Sequence, residues 1–305
     1  MRTSGSAGVR VEDPIQIFSR LQPRMLGTAY RMLGSLSEAE DVVQDVWTRW
    51  HDTDVDRVDN AEAWLVATTT RRAIDRLRQA RTEREKYVGI WLPEPVLTDS
   101  PATPEQLQEA SSDLSIAFLT VLERLAPEAR AAFLLHEVLD VDYAEIARIL
   151  DKTEAACRQI VHRAKSQLRD ERPRYAVSDD AHQRLMRRFV AALSTGDFAA
   201  IKGMLAESTE LIGDGGGIVT ASPEPWVGGQ RIAQLFYAPT LRSEYAVRVE
   251  IATINGRWGV LRYMRGELES AQSYDTDGER IQRIYLQRNP EKLRRIAAHQ
   301  VFALS

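Results

Sequence analysis

The sequence predicts a multi-domain chain, two all-α modules followed by an α+β domain with a curved, cone-like sheet. Three observations predict it. Apolar residues recur at helical spacing from residue 14 to about 170, interrupted by one Pro-rich stretch. Past Glu207 the segments become strand-like, and Asn255-Gly256 and Asp277-Gly278 are hairpin turn signals. The length of 305 residues calls for two or three domains at roughly 100–200 residues each.

Composition sets the outer limits. With 44% hydrophobic and 28% charged residues the chain is not disordered throughout. A net charge of -4 leaves no global basic field, so any nucleic-acid surface is local. No apolar run approaches the roughly 20 residues of a membrane span, and Met1–Val11 lacks the apolar core of a secretory signal. The expected location is cytoplasmic, with no membrane partner. The single cysteine, Cys157, excludes internal disulfide frameworks and Cys-based zinc sites. No Gly-rich loop runs into Lys-Ser or Lys-Thr, so no nucleotide, Mg²⁺ or other cofactor is expected, and no metal site.

Residues 14–33 place Ile17, Leu21, Met25, Leu26, Tyr30 and Leu33 on a helix that Gly34 stops. Ser37-Glu38-Ala39-Glu40 reads as a capping box, with Ser37 as the cap of a helix running to about Trp50. Asp41, Gln44, Asp45 and Thr48 form its polar face. Asp41 and Asp45, four apart, repel each other on that face, which fits a cationic partner or simple hydration. Asn60 caps the next helix, which continues to about Arg84. It carries Trp64, the run Thr68-Thr69-Thr70, and Arg71, Arg72, Arg76, Arg78 and Arg81. Aromatic rings stack on unpaired bases and Arg neutralises phosphate, so this helix is a single-strand DNA candidate. Trp64 fits core packing equally well.

Charge is segregated along the chain. Ser35–Glu62 holds nine acids against two bases, Arg71–Lys86 seven bases against three acids, and Arg148–Arg174 eight bases against four acids. Each run alone fits a solvated helix face; together they fit one protein partner and one polyanion.

Residues 87–110 read as a linker, but Trp91-Leu92-Pro93-Glu94-Pro95 is too apolar for a solvated tether and should dock on a surface. Helices resume near Asp113. Val141–Leu150, the turn Asp151-Lys152-Thr153 and a basic helix from Glu154 to about Arg172 have the layout of a helix-turn-helix. Thr153 caps the second helix, and Arg158, Gln159, His162, Arg163 and Lys165 can point to solvent or to duplex DNA in the major groove. After a polar joint around Pro173, residues 181–205 are helical and the strands follow. Such an α+β cone often holds an apolar pocket, and a small-molecule ligand there is an open expectation.

Leu36–Trp47, Ala63-Trp64-Leu65 through Ala73-Ile74-Asp75-Arg76-Leu77-Arg78, and Tyr143-Ala144-Glu145-Ile146-Ala147 through His162-Arg163-Ala164-Lys165 occur in one order and spacing over residues 14–172. In this the chain resembles the extracytoplasmic-function (ECF) sigma factors. Its second half resembles the SnoaL-like (NTF2-like) domain fused to one subgroup of them. Trp91–Pro95, Asp214-Gly215-Gly216-Gly217 and Asn289-Pro290-Glu291-Lys292-Leu293 point to that subgroup, although Ile218 stands where its glycine motif continues with Lys.

The resemblance implies sigma region 2 over residues 11–86, a linker over 87–112, a region 4 helix-turn-helix over 113–174, and a SnoaL-like domain with a tail over 180–305. It implies RNA polymerase core (β′ clamp helices and β flap) and promoter DNA as partners, and no enzymatic activity. Asp41, Gln44, Asp45, Trp47 and Thr48 would bind polymerase. Asn60, Trp64, Thr68, Arg71, Arg72, Arg76 and Arg78 would melt and read the minus-10 element. Thr153, Arg158, Gln159, His162, Arg163 and Lys165 would read the minus-35 element. Trp91, Leu92, Pro93, Glu94, Pro95, Asp214, Gly215, Gly216, Gly217, Asn289, Pro290 and Lys292 would form a regulatory contact. The alternative is an NTF2-like enzyme or ligand sensor with an attached DNA-binding module, in which Asp214 is the candidate acid–base group.

Overall fold

A computed structural model describes residues 13–54, 57–98, 114–169 and 177–301. Pro101, Pro104, Pro173 and the last four residues of the tail lie outside the described residues.

The first module is a three-helix bundle. Helix α1 (Pro14–Leu33) starts with Asp13 accepting from the Ile15 N–H, has Pro14 where no helical donor is needed, and ends at Gly34 in the left-handed region. Helix α2 (Leu36–His51) starts earlier than the capping box predicts. Ser35, not Ser37, is its cap and accepts from the Glu38 N–H. The Ser/Glu pattern fits either frame, and Gly34 forces the earlier one by turning the chain directly into Ser35. Helix α3 (Ala61–Arg84) is capped by Asn60, whose side chain accepts from Ala63 N–H at 3.0 Å. Phe18, Val46, Trp50 and Leu65 fill one end of this bundle.

The second module comprises α4 (Ile116–Leu122), α5 (Pro127–Glu137), α6 (Tyr143–Leu150) and α7 (Glu154–Arg169). Asp151, at φ 54°, caps α6 and turns the chain. The Thr153 hydroxyl then accepts from Ala156 N–H at 3.2 Å. Ile146, Cys157 and Val161 close the helix-turn-helix core. The two modules are not separate bodies. Leu33, Leu36, Ile74 and Leu77 of the first share a core with Leu122, Phe133 and Leu168 of the second. Val66 of α3 lies within the cluster that packs the helix-turn-helix.

The last domain begins with α8 (Asp179–Thr195) and α9 (Phe198–Gly203). There follow β1 (Leu205–Asp214), β2 (Trp226–Val227), α10 (Gly229–Tyr237), β3 (Arg248–Ile254), β4 (Arg257–Met264), β5 (Glu267–Thr276), β6 (Ile281–Gln287) and α11 (Pro290–Ala297). The strand order is β2-β1-β6-β5-β4-β3. The β1–β6 pair is parallel, so the sheet is mixed rather than antiparallel throughout. Strand alternation gives it two apolar faces. Val260, Tyr274 and Ile284 meet Leu185, Phe189 and Phe236 of the helices. On the other face Leu261, Tyr263 and Ala271 meet Leu97, Leu293 and Ile296, and Tyr285 meets Leu92, Ile116 and Ala117.

The linker is therefore part of the fold. Leu97 pairs with Ile254 at the sheet edge and, in parallel, with Val301 of the tail. Asn255 N–H donates to Val96 O at 2.8 Å, and Thr98 N–H to Thr253 O at 3.1 Å. Inside the cone Phe189 lies 5.9 Å from Phe236 and 5.6 Å from Tyr274.

Candidate polymerase and DNA surfaces and their junction

On α2 the burial period of 3.6 turns Val42, Val43 and Val46 inward and leaves Asp41, Gln44, Asp45 and Thr48 exposed. Trp47 is half-buried, edge-on to Phe18 at 4.7 Å. This acidic face is open.

The basic helix α3 is not. Thr68 is buried and its hydroxyl donates to Trp64 O at 2.8 Å, so it presents no group to DNA in this state. Trp64 packs 5.3 Å from Trp50 and is half-exposed, which joins its two sequence readings in one position. Arg71 Nε and Nη2 donate to Ile149 O (3.0 Å) and Arg148 O (2.8 Å) at the C-terminus of α6. Arg72 is half-buried. Arg76 pairs with Glu38 at 2.9 Å; Arg78 pairs with Asp75 at 3.1 Å and with Glu128 of α5 at 2.7 Å. Arg71 and Arg78 remain exposed, but the guanidinium groups of Arg71, Arg76 and Arg78 are all engaged by groups of this molecule. A cleft of about 610 Å³, walled by Asn60, Trp64, Arg71, Glu145 and Arg148, remains between the modules.

Helix α7 keeps its outer face. Gln159, His162 and Arg163 are exposed. Arg158 pairs with Glu154 at 2.7 Å and lies over the Tyr143 ring at 5.2 Å, while Lys165 pairs with Glu137 at 2.8 Å.

The predicted linker and C-terminal motifs meet at one carboxylate. Asp214, fully buried at the end of β1, accepts from Leu92 N–H at 2.9 Å and from the Tyr87 hydroxyl at 2.7 Å. It also accepts from Gln287 Nε2 at 3.1 Å and Gly216 N–H at 2.9 Å, and pairs with Lys292 Nζ at 2.7 Å. Burial pushes the Lys292 ammonium down and Asp214 pulls it back up. The Tyr87 hydroxyl is raised by burial and by the Asp214 carboxylate it donates to. Lys292 also donates to Leu92 O at 2.6 Å. Trp91 lies between two cations, Arg84 at 3.9 Å and Lys292 at 4.2 Å from its ring.

Gly216 turns at φ +64° against Asn289, where a Cβ would sit 2.3 Å from Nδ2; Gly215 and Gly217 complete the same loop. Asn289 caps α11 through Glu291 N–H (2.9 Å), ahead of Pro290, and donates to Tyr87 at 2.9 Å. Ile218 is exposed, in keeping with its loss of a polar role. Pro93 and Pro95 are buried, and between them Glu94 accepts from Leu36 N–H (2.8 Å) and the Ser35 hydroxyl (3.2 Å). All five of these contacts on Asp214 come from groups of the chain itself.

Three contributors escaped the sequence reading. Asn255, taken only as a turn residue, donates to the Tyr30 hydroxyl (2.6 Å) and Leu114 O (2.9 Å) and accepts from Val96 N–H (3.0 Å). Tyr30 had read as core alone, but its hydroxyl donates to Glu94 O at 2.7 Å. Arg295 of α11 forks onto Glu40 of α2 at 2.5 and 3.1 Å. A polar atom on an otherwise apolar helix face, as in Tyr30, was the available signal.

Comparison with known proteins agrees with this layout. Residues 17–83 match the family model Sigma-70 region 2, and residues 115–168 match Sigma-70, region 4. Over 250 residues, 79% of this chain and 78% of the relative, the sequence is 34% identical to the ECF RNA polymerase sigma factor SigJ of Mycobacterium tuberculosis. The chain belongs to the ECF RNA polymerase sigma factors.

Among other members of this family, the probable ECF sigma factor SigI of M. tuberculosis is 30% identical over 188 residues, covering 61% of this chain and 64% of that relative. The crystal structure of M. tuberculosis SigJ superposes with a TM-score of 0.72 at 28% identity, covering 92% of this chain and 98% of that one. As an ECF sigma factor the protein acts with RNA polymerase core at promoter DNA. Among the described residues no helix is long and apolar enough to cross a membrane.

Proposed function

We propose that this sigma factor rests in a closed state in which it can meet core polymerase and the minus-35 element but not the minus-10 element. The acidic face of α2 docks on the β′ clamp helices and region 4 meets the β flap. The α7 face reads duplex minus-35 DNA, with Arg158, Gln159, His162 and Arg163 on base edges and Lys165 on phosphate. Helix α3 reads and melts the minus-10 element after it separates from α6. The C-terminal domain holds the closed state by gripping the linker, and acts in the cytoplasm as a regulator rather than as an enzyme.

The single observation that carries this reading is the contrast between the exposed carboxylates of α2 and the engaged arginines of α3. Run-off transcription with core polymerase tests it, comparing the full chain with its Asp214→Ala variant. A change in promoter output with unchanged affinity for core supports the closed-state reading. Equal output from both refutes it.

A further inference from the structure

Glu128, in the first turn of α5, bridges two DNA-facing elements. One carboxylate oxygen takes Arg78 Nη2 of α3 at 2.7 Å. The other takes Lys152 Nζ, in the helix-turn-helix turn, at 3.1 Å. Arg78 belongs to the minus-10 face, and Lys152 stands one residue before the cap of the recognition helix. Lys152 has no role in the surfaces described above. Hydrogen bonds from Lys152 and then Arg78 hold the Glu128 carboxyl below its usual range. The Arg71 fork on α6 is a second link from α3 to the helix-turn-helix module.

We infer that Glu128 is an internal phosphate mimic. Its single negative charge is shared between Arg78 and Lys152, and a DNA phosphate that takes either cation competes with it. Two consequences follow from charge alone. Lys152 becomes a backbone-contacting residue of the DNA interface, and the closed state competes with DNA for the same two positive charges. The assignment rests on the proposed DNA reading of α3 and α7.

The test is binding of the full chain to a fluorescent non-specific duplex across a salt series. Removing two ion pairs in Glu128→Gln should raise affinity about two- to thirtyfold, at about 0.2–1 kcal/mol per exposed ion pair. It should also steepen the log affinity–log salt slope by up to about 1.8, at about 0.9 per phosphate contact. The double variant Glu128→Gln/Lys152→Gln should lose about half of the added slope. Affinity and slope equal to or below wild type in a folded Glu128→Gln chain overturn the inference. So does a double variant that keeps the whole gain. Transcription by the Asp214→Ala chain with core polymerase is scored separately: initiation without a Glu128→Gln gain rejects the phosphate mimic alone, whereas no initiation rejects the promoter reading beneath it.

Discussion

The Leu92 backbone N–H donates to Asp214 Oδ2 at 2.9 Å across 122 residues of chain. No other carboxylate could replace it there without rebuilding the site, because the same side chain also receives Tyr87, Gln287 and Lys292. Removing it takes the carboxylate from a buried ammonium and from four other donors. Breaking a buried ion pair from one side costs about 3–5 kcal/mol. Asp214→Ala should therefore release the linker from the sheet, read as faster limited proteolysis near Trp91 and an early unfolding step. Asp214→Asn, which keeps an acceptor but no charge, should fall between.

Trp91 supplies a second, independent hold. Its ring lies between Arg84 and Lys292, and a partly desolvated cation–π contact contributes about 0.5–2 kcal/mol. Trp91→Ala should change promoter output while leaving affinity for a minus-35 duplex within about twofold, since α7 touches neither cation. A binding titration run beside the transcription assay checks both halves.

Gly34 reports on the same contact from the other side. At φ +65° it is strained for any side chain, and a Cβ would meet Trp91 Cη2 at 2.7 Å. Gly34→Ala should cost about 1–2 kcal/mol from the backbone alone, and more from displacement of the indole. Thermal unfolding measures the loss, and Trp91→Ala in the same chain should recover the steric part of it.

His182 sets a pH dependence. It is fully buried, donates from Nε2 to Trp258 O at 2.8 Å, and burial pushes its pKa down to about 4. The folded chain therefore favours neutral imidazole, whereas the unfolded chain binds a proton near pH 6.5. Stability from this group is complete above about pH 6.5 and is lost as pH falls toward 4, by on the order of 3 kcal/mol. Chemical denaturation from pH 7 to 4 should show the slope, and His182→Gln should flatten it.

Local signals made the helices legible. Asn60, Gly34 and Thr153 mark helix boundaries because capping is chemistry between near neighbours. Period alone separated the exposed Asp41 and Asp45 from the buried Val42 and Val46. The turn at Asn255-Gly256 was equally local, and it joins β3 to β4. What stayed hidden was partnership at a distance. Arg71 and Arg78 look identical in the sequence whether they face DNA or α6 and Glu128. The parallel β1–β6 pair joins strands far apart in the chain, and hairpin signals speak only for antiparallel neighbours. The short β2 and helix α10 went unread because two strand residues and nine helical ones carry little periodicity. The motifs around Trp91, Asp214 and Asn289 were visible as a family resemblance, but only the folded sheet shows why they occur together: Tyr87 touches both Asp214 and Asn289.

The linker docks against strands that lie more than a hundred residues downstream, with Leu97 bridged to Ile254 and Val301. Synthesis proceeds from the amino end at about 5–20 residues per second. Both helical modules therefore leave the ribosome on the order of ten seconds before the sheet that clasps them is finished. Under the proposed closed state, a nascent chain caught by polymerase in that interval has not yet been clasped, so the fraction of newborn molecules already at work depends on how quickly translation passes β6 and α11.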